Sequence, residues 1–489
     1  MTMKYRRFAA GSALVLGILL VLGIWGYQVY RKSVRVCQSI FSPQMSTQVA
    51  VNELRWWWKP ASLVIPRLPV FGNTPLTDGV HALQAANEAI LNLPTLLGFT
   101  TTRHYVVLFQ NNMELRPTGG FLGSYAEIWM KEGKISDIRI QDIYVPDGQI
   151  KGYVKEPEPI KKYLFNEEHP GWRLRDSNWS PDFPEAVKAV NWFFKEGGLE
   201  SIDGMVAINL LPIIHILKVT GDISLSDYGG LVISADSFYQ EAQRHAEENF
   251  FPGSTQKGNF LSNVGKQLLY TLTSRAELMP RLLPILFTNF REKQIFIFIP
   301  DVLGKAWQQL GWDGRLRDYS DDYLMLVEAN VGMSKANCCI DRTLTDDISI
   351  HSQVIDHHLT LTYTNHNPVT PQPPISWGGG YKNYLRVLMP STASVAAVLV
   401  NNSQLSSTDI DEELIGDKKS IGFLVLTEGG QQSMVQVHYS IPSKKNRTYS
   451  LLFQKQSGIV GWPATITISQ NGVSRRYAEK LLQHDHYFY

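Results

Sequence analysis

The chain is predicted to fold as a mixed α/β (α+β) domain followed by an all-β, sandwich-like domain, with one N-terminal transmembrane helix. Three observations carry this. From Tyr105 to about Asn337 strand-like and helix-like segments alternate; from about Arg342 the apolar period becomes two; and Phe8 to Tyr30 is an uncharged apolar run. At 489 residues the chain exceeds one ordinary core, and about 150 residues per domain gives two or three units.

The run from Phe8 to Tyr30 reaches roughly 35 Å as a helix, enough for a hydrocarbon layer of roughly 30 Å. Trp25, Tyr27 and Tyr30 gather at its C-terminal end, where amphipathic rings settle at headgroup depth. A cleaved signal peptide needs a small-residue site after the apolar region, and WGYQVYRKSVRVC offers none. Lys4, Arg6 and Arg7 nearly balance Arg31, Lys32 and Arg35, and the free amino group tips the preference to a cytoplasmic N-terminus. Residues 1–30 are thus expected to be a cytoplasmic tail and a single membrane span, with the bulk of the chain extracytoplasmic. Charged residues are 19%, hydrophobics 44% and net charge +1, so nothing draws the chain to nucleic acid. Of the cysteines, Cys338 and Cys339 adjoin, and sequence neighbours seldom bridge each other. They read as buried small hydrophobes, and no disulfide framework is expected.

Residues 31–75 read as a juxtamembrane connector with Pro43, Pro60, Pro66, Pro69 and Pro75 and the triple Trp56, Trp57, Trp58. The tryptophans suit either a membrane interface or the base of the folded domain. The α/β domain, 76–337, opens on a helix with Thr77 as its candidate cap and Val80, Leu83, Ala86 and Ile90 at helical spacing. YVVLF, SYAEIWM, ISDIRI, GMVAIN, IFIFI and DYLMLVEA are its strands. Glu185 to Glu196 puts Val187, Val190, Phe193 and Phe194 on one helical face, capped by Asp182 and stopped by Gly197 and Gly198. NLLPIIHILKVTG, Asp236 to Glu248 and Asn259 to Thr288 also read as helical. In residues 342–489, Leu359, Leu361 and Tyr363 alternate with threonines, and Val435, Val437 and Tyr439 with polar residues, between Gly-rich turns. That pattern is a β-sandwich.

The candidate site begins where the strand at Tyr105 ends. The loop after it carries Asn111, Asn112, Glu114, Arg116, Gly119, Gly120, Gly123 and Ser124. Glycines let backbone amides approach an anion, and Arg116 can pair with it through two donors. No GK[ST] follows for a P-loop, and a strand instead of a helix follows for a dinucleotide fingerprint, so a tight turn at Pro117 to Gly120 is the competing reading. Two further clusters follow: QDIYVPDG gives Asp142, Tyr144 and Asp147, and RLRDSNWSPDFP gives Arg173, Arg175 and Asp176. Asp142, Asp147 and Asp176 are the candidate ligands for a hard divalent cation. No zinc spacing and no Gly-x-Ser-x-Gly elbow is present.

NNMELRPTGGFLGSYAEI, IQDIYVPDG, RDSNWSPDFPEA, VEANVGMSKAN and YKNYLRVLMP, in that order, resemble the bacterial family catalogued as domain of unknown function 4012, from about Tyr105 to Gly458. That resemblance implies one N-terminal span, a body outside the cytoplasm, and no established activity. The course from Tyr105 to GGLESIDGMVAINLLPIIHILKVTGDISL is also similar to the LytR-CpsA-Psr phosphotransferases, which move lipid-linked glycopolymers onto the cell wall. This second likeness implies Arg116 on a pyrophosphate and Asp147 on magnesium. NNMELR stands in place of that family's Gly-x-Asp-x-Arg, and QDIYVPD in place of its Pro-Arg-Asp. Two functions are therefore expected in competition: a cell-envelope protein binding glycopolymer or another envelope protein, and a transferase in which Arg116 with Arg173 and Arg175 stabilises a transferring phosphoryl group, Asp147 and magnesium assisting. In either, Arg116 and the Arg173, Arg175 and Asp176 cluster are expected to face one pocket for a phosphate-bearing glycolipid or similar anion. For the topology, a reporter enzyme active only in the cytoplasm and fused after Tyr489 is expected to stay silent; activity there would refute the single outward span.

Overall fold

A computed structural model describes residues 24–42, 44–68, 75–164, 170–247, 256–300, 302–319, 321–370, 378–443 and 449–489. Residues 8–23 of the expected span lie outside them. Among the described residues no helix is long and apolar enough to cross a membrane. The supposed connector is a helical hairpin, α1 (24–41) and α2 (Thr47–Val64), the latter running through Pro60. The tryptophans divide, one into the base of the fold and one to the surface. Trp58 is buried and donates to Asn87 at 2.9 Å, while Trp56 is 67% exposed. Lys134 fastens the closed end of the hairpin through the carbonyls of Ser39, Ser42 and Met45. Helix α3 (Pro75–Leu96) follows and packs on α2; Thr77 lies inside it and is not its cap.

The first sheet contains β1 (Arg103–Asn111), β2 (Phe121–Lys131), β3 (Lys134–Asp142), β4 (Gly204–Ile208) and β7 (Ile295–Phe298) in the order β3-β2-β1-β4-β7. Only β1 and β4 pair in parallel. Short helices α4 (Tyr144–Asp147) and α5 (Glu158–Tyr163) precede α6 (Phe183–Glu196), which Asp182 caps through the Glu185 amide as expected. The period-two pattern divides the sheet's faces. Val106 and Leu108 of β1 and Met205 and Ala207 of β4 meet Val190, Phe193 and Phe194 of α6. On the other face Phe109, Ile208 and Ile295 stand in one row, in register across β1, β4 and β7. That face is covered by α7 (Leu210–Thr220), α8 (Phe238–Glu247), α9 (Gln256–Ser274) and α10 (Met279–Arg291), with the ribbon β5 (Ile223–Leu225) and β6 (Leu231–Ile233) beside them. Helix α11 (Lys305–Leu310) closes this half against α3.

The second half is two facing sheets. One contains β9 (Ile340–Ile350), β10 (Val354–Asn365), β12 (Ser394–Val400), β13 (Ser403–Gln404), β16 (Gln432–Pro442), β18 (Trp462–Gln470) and β19 (Val473–Leu482). The other contains β8 (Asp322–Asn330), β11 (Tyr381–Pro390), β14 (Asp411–Ile415), β15 (Lys418–Thr427), β17 (Leu451–Gln454) and β20 (His486–Phe488). The expected boundary at 337–342 therefore cuts the sandwich, because β8 lies inside the second sheet between β11 and β17. All nine residues of β8 are buried, so its near-continuous apolar run carries no alternation to mark it as part of this half. Cys338 and Cys339, just before β9, are joined by a disulfide, and Cys338 is exposed. Both facts correct the expectation of two buried thiols.

One buried ionic cluster fixes the register of this core. His357 on β10 is wholly buried, with Nδ1 2.9 Å from Asp346 on β9 and Nε2 3.0 Å from Asp322 on β8, and its ring stacks on Tyr439 of β16. Burial alone would lower its pKa; Asp322 and Asp346 overcome this and push it up to about 10 from 6.5. A folded-state pKa above the unfolded one stabilises fully below pH 6.5 and loses that stabilisation as pH rises through about 10. Stability is thus expected to fall over this window, and His357→Asn to flatten that part of the slope while costing about 3–5 kcal/mol near neutral pH. Urea unfolding at stepped pH measures both; an unchanged slope in the variant would exclude His357 as its source.

Candidate functional site

The loop between β1 and β2 is held by its own backbone: Gly119 N–H donates to the Arg116 carbonyl at 2.9 Å and Phe121 N–H to the Glu114 carbonyl at 2.8 Å. It is the tight turn of the competing reading. Its glycines serve a close approach to the sandwich. Gly119 has φ +137°, and a Cβ there would stand 2.4 Å from Asn209 Oδ1; one on Gly458 would stand 1.9 Å from the Gly119 carbonyl oxygen. Asn112 belongs to the same seam, donating to the Gly458 carbonyl at 2.9 Å. Asn112 and Gly119 thus join the two halves, Gly120 packs on Asn111 within the loop, and none of the three lines the cavity described below.

Arg116 is 1% exposed. Its Nε and Nη2 donate to Asp176 Oδ1 at 3.0 and 2.9 Å, Nη2 also to Glu114 at 3.0 Å, and Nη1 to the carbonyls of Asn330 and Leu115 at 2.7 and 3.2 Å. Every guanidinium donor is engaged. Burial lowers its pKa, but Asp176 and Glu114 more than reverse this, so the charge is fixed. The fork expected to grip an anion grips the protein, which corrects the ligand-binding and catalytic role assigned to Arg116.

Asp147 is equally committed. It ends the short α4 and accepts from the Leu174 amide at 2.6 Å and from Arg175 Nη1 at 3.0 Å. Burial holds its pKa above the ordinary carboxylate value, and Arg175 and the Leu174 amide offset only part of this. Asp142 accepts from the Tyr144 amide at 2.9 Å. Among the described residues no three acidic, histidine or cysteine side chains assemble a metal-holding group. Asp142, Asp147 and Asp176 therefore do not fit a magnesium ion as a set.

What the structure does bring together is a cavity of about 1060 Å³. It lies at the carboxyl ends of β1 and β4, where open α/β sheets present their crevices. One end is charged: Glu114, Arg116, Asp142, Asp147, Arg173, Arg175, Asp176 and Lys335 border it, with Asn111 beside them. The expected clusters thus converge, though not in the expected roles. Arg175, with its guanidinium carbon 5.3 Å from the Tyr144 ring centre, gives one donor to Asp147 and keeps others directed away from it. The Nε of Arg173 is buried without a hydrogen-bond partner.

The other end is apolar and was not foreseen. Phe109, Ile208 and Ile295 form its floor, and Ile213 and Ile216 of α7, Phe238 of α8 and Val264 and Leu268 of α9 form its wall. Two polar atoms in this wall, Ser124 Oγ and Gln243 Oε1, are buried without partners, and such atoms call for a ligand or water group. The signal in the sequence was α7 itself: LLPIIHILKVT is apolar round most of its circumference, more than one packed face requires.

Residues 101–246 match the model of a family described as a protein of unknown function, DUF4012. This stretch holds β1 to α8 and so most of the cavity, but not the sandwich. No curated protein matches the chain. Among solved structures it is similar to a putative nutrient binding protein from Legionella pneumophila at 7% identity, covering 26% of this chain and 50% of that one, with a TM-score of 0.20. It is also similar to the Lin1025 protein of Listeria innocua (10% identity, 43% and 78% covered, TM-score 0.25) and to an M1 zinc metallopeptidase from Deinococcus radiodurans (11%, 27% and 32%, TM-score 0.17). The chain thus spans half of the first and about a third of the last.

Because Arg116 is saturated by protein partners, Arg116→Lys is expected to destabilise the fold by about 3–5 kcal/mol, as breaking a buried charge network does. The midpoint of denaturant unfolding reads this; an unshifted midpoint would contradict a structural Arg116.

Proposed function

We propose that this chain is a membrane-anchored, extracytoplasmic protein of the bacterial cell envelope whose cavity binds a lipid-linked anionic ligand. The apolar chain lies between the first sheet and α7, α8 and α9, and the phosphate-bearing head meets Arg173, Arg175 and Lys335. The observation that carries this is the division of one cavity into an apolar throat and a charged mouth. A soluble glycan would leave the throat unused, and a plain hydrocarbon would leave the arginines unused. Binding is favoured over phosphotransfer because the carboxylates at the mouth are held by arginines and backbone amides. The mouth carries four acidic and four basic side chains, so its charges orient a head more than they attract one, and affinity comes from the throat at about 0.8 kcal/mol per buried methylene.

The test uses hexadecyl phosphate and hexadecanol as probes on the detergent-solubilised chain, by displacement of a fluorescent fatty-chain reporter. Ala242→Trp, which fills the throat, is expected to weaken both at least tenfold. Arg175→Ala is expected to weaken the phosphate selectively. Equal binding of both probes by all three proteins would remove the proposal.

A further inference from the structure

We infer that the open end of the α1–α2 hairpin is a second membrane contact, with Trp56, Leu63 and Val64 seated in the interface of an anionic bilayer. The inference takes the position of that bilayer from the anchored reading above.

The hairpin sets the geometry. Trp25 Nε1 donates to the Trp57 carbonyl at 2.9 Å and its ring stacks on Trp58, Lys32 meets Glu53 at 2.9 Å, and Thr47 Oγ1 donates to the Ser39 carbonyl at 3.0 Å. The helices are therefore antiparallel, closed at 42–46 and open where residue 24 enters. From Trp57 to Val64 α2 climbs roughly 10 Å, so Leu63 and Val64 stand beyond the level of Trp25, at the end of the hairpin that the anchored reading turns to the bilayer. An interfacial helix seats its apolar face about 5–10 Å into the headgroup and acyl boundary.

The surface there suits that layer. Trp56 is 67%, Leu63 61% and Val64 58% exposed, with Ile24 and Tyr27 exposed nearby. Trp56, Lys59 and Leu63 recur at helical spacing and share one face of α2, and Arg67 lies in the turn just after it. Between residues 24 and 68 the sequence has six cations, Arg31, Lys32, Arg35, Arg55, Lys59 and Arg67, and one acid, Glu53. Lys32 and Arg35 both bind Glu53 at 2.9 Å, so Arg55, Lys59 and Arg67 have no acidic neighbour within the hairpin. Large apolar side chains flanked by unmatched cations on long apolar stems match an anionic lipid surface. The cavity lies at the far end of the first sheet: the hairpin's core includes Met130, opposite Arg103 at the start of β1, whereas the cavity borders Phe109 and Asn111 at its end. Two contacts, the span and the α2 tip, would fix the tilt at which the cavity is held.

The test places a spin label at Leu63→Cys, and separately at the exposed Thr408→Cys of the sandwich, in the full chain carrying Cys37→Ser and reconstituted in phosphatidylglycerol-containing nanodiscs. The label at 63 is expected to be relaxed by oxygen and shielded from a nickel chelate, at headgroup to acyl depth, and the label at 408 to show the reverse. Nickel access at 63 equal to that at 408 would overturn the contact. Shielding from both reagents together with a dimeric chain would assign the face to a second copy and also overturn it. Alkaline carbonate extraction keeps the two ideas apart. If carbonate releases the chain, the anchored reading fails, and the label at 63 read on anionic against zwitterionic vesicles then decides the contact alone.

Discussion

The guanidinium of Arg116 is where three pieces of the chain meet. It holds Glu114 in its own loop, Asp176 between β3 and α6, and the carbonyl of Asn330 at the end of β8. Its neighbour Leu115 is fully buried and belongs to the sandwich core, although it is carried by the α/β half. A leucine plugged into one core, beside a charge neutralised by the other half, joins the two into one body. Removing such a leucine costs about 2–5 kcal/mol, and stripping a buried charge of its partners a similar amount. The contact of Gly119 with Gly458 follows from this join, because the backbones meet only where neither residue has a Cβ.

With the loop engaged in holding the halves together, ligand recognition falls to what surrounds it. Arg116 becomes the fixed back of the charged mouth, and it orders Asp176 beside Arg175, whose Nε lies 3.8 Å from Asp176 Oδ2. The magnitudes favour a ligand with a long apolar part. Ten buried methylenes contribute about 8 kcal/mol, on the scale of micromolar affinity before ordering costs, whereas a partly exposed ion pair contributes at most about 1 kcal/mol. In the proposed complex the arginines choose the head and the throat retains the chain.

Much of the architecture was legible in the sequence because period decides face. Val106 and Leu108 turn to α6 while Phe109 turns to the cavity, as alternation dictates, and Asp182 caps its helix from a local rule. The convergence of Arg116, Asp147, Arg173, Arg175 and Asp176 was legible as a cluster of polar residues at strand ends. Their roles were not, since a free arginine and one saturated by Asp176 and the Asn330 carbonyl look alike in a sequence, and the second partner lies 214 residues away. β8 was misassigned because a strand buried on both faces shows no period. The connector hid two helices because Pro60 reads as a breaker, and the apolar throat is not legible because, in a sequence, Ile213 or Val264 facing a cavity is indistinguishable from one facing a core.

The join between the halves is tested most directly by scanning calorimetry of the solubilised chain, comparing the calorimetric enthalpy with the van't Hoff enthalpy. One transition with equal enthalpies is expected, since the sandwich core takes Leu115 from the α/β half and Arg116 beside it ties Asp176 to the Asn330 carbonyl. Two resolved transitions, each with its own matching enthalpies, would show that the halves unfold independently and would contradict Arg116 as the residue that makes them one.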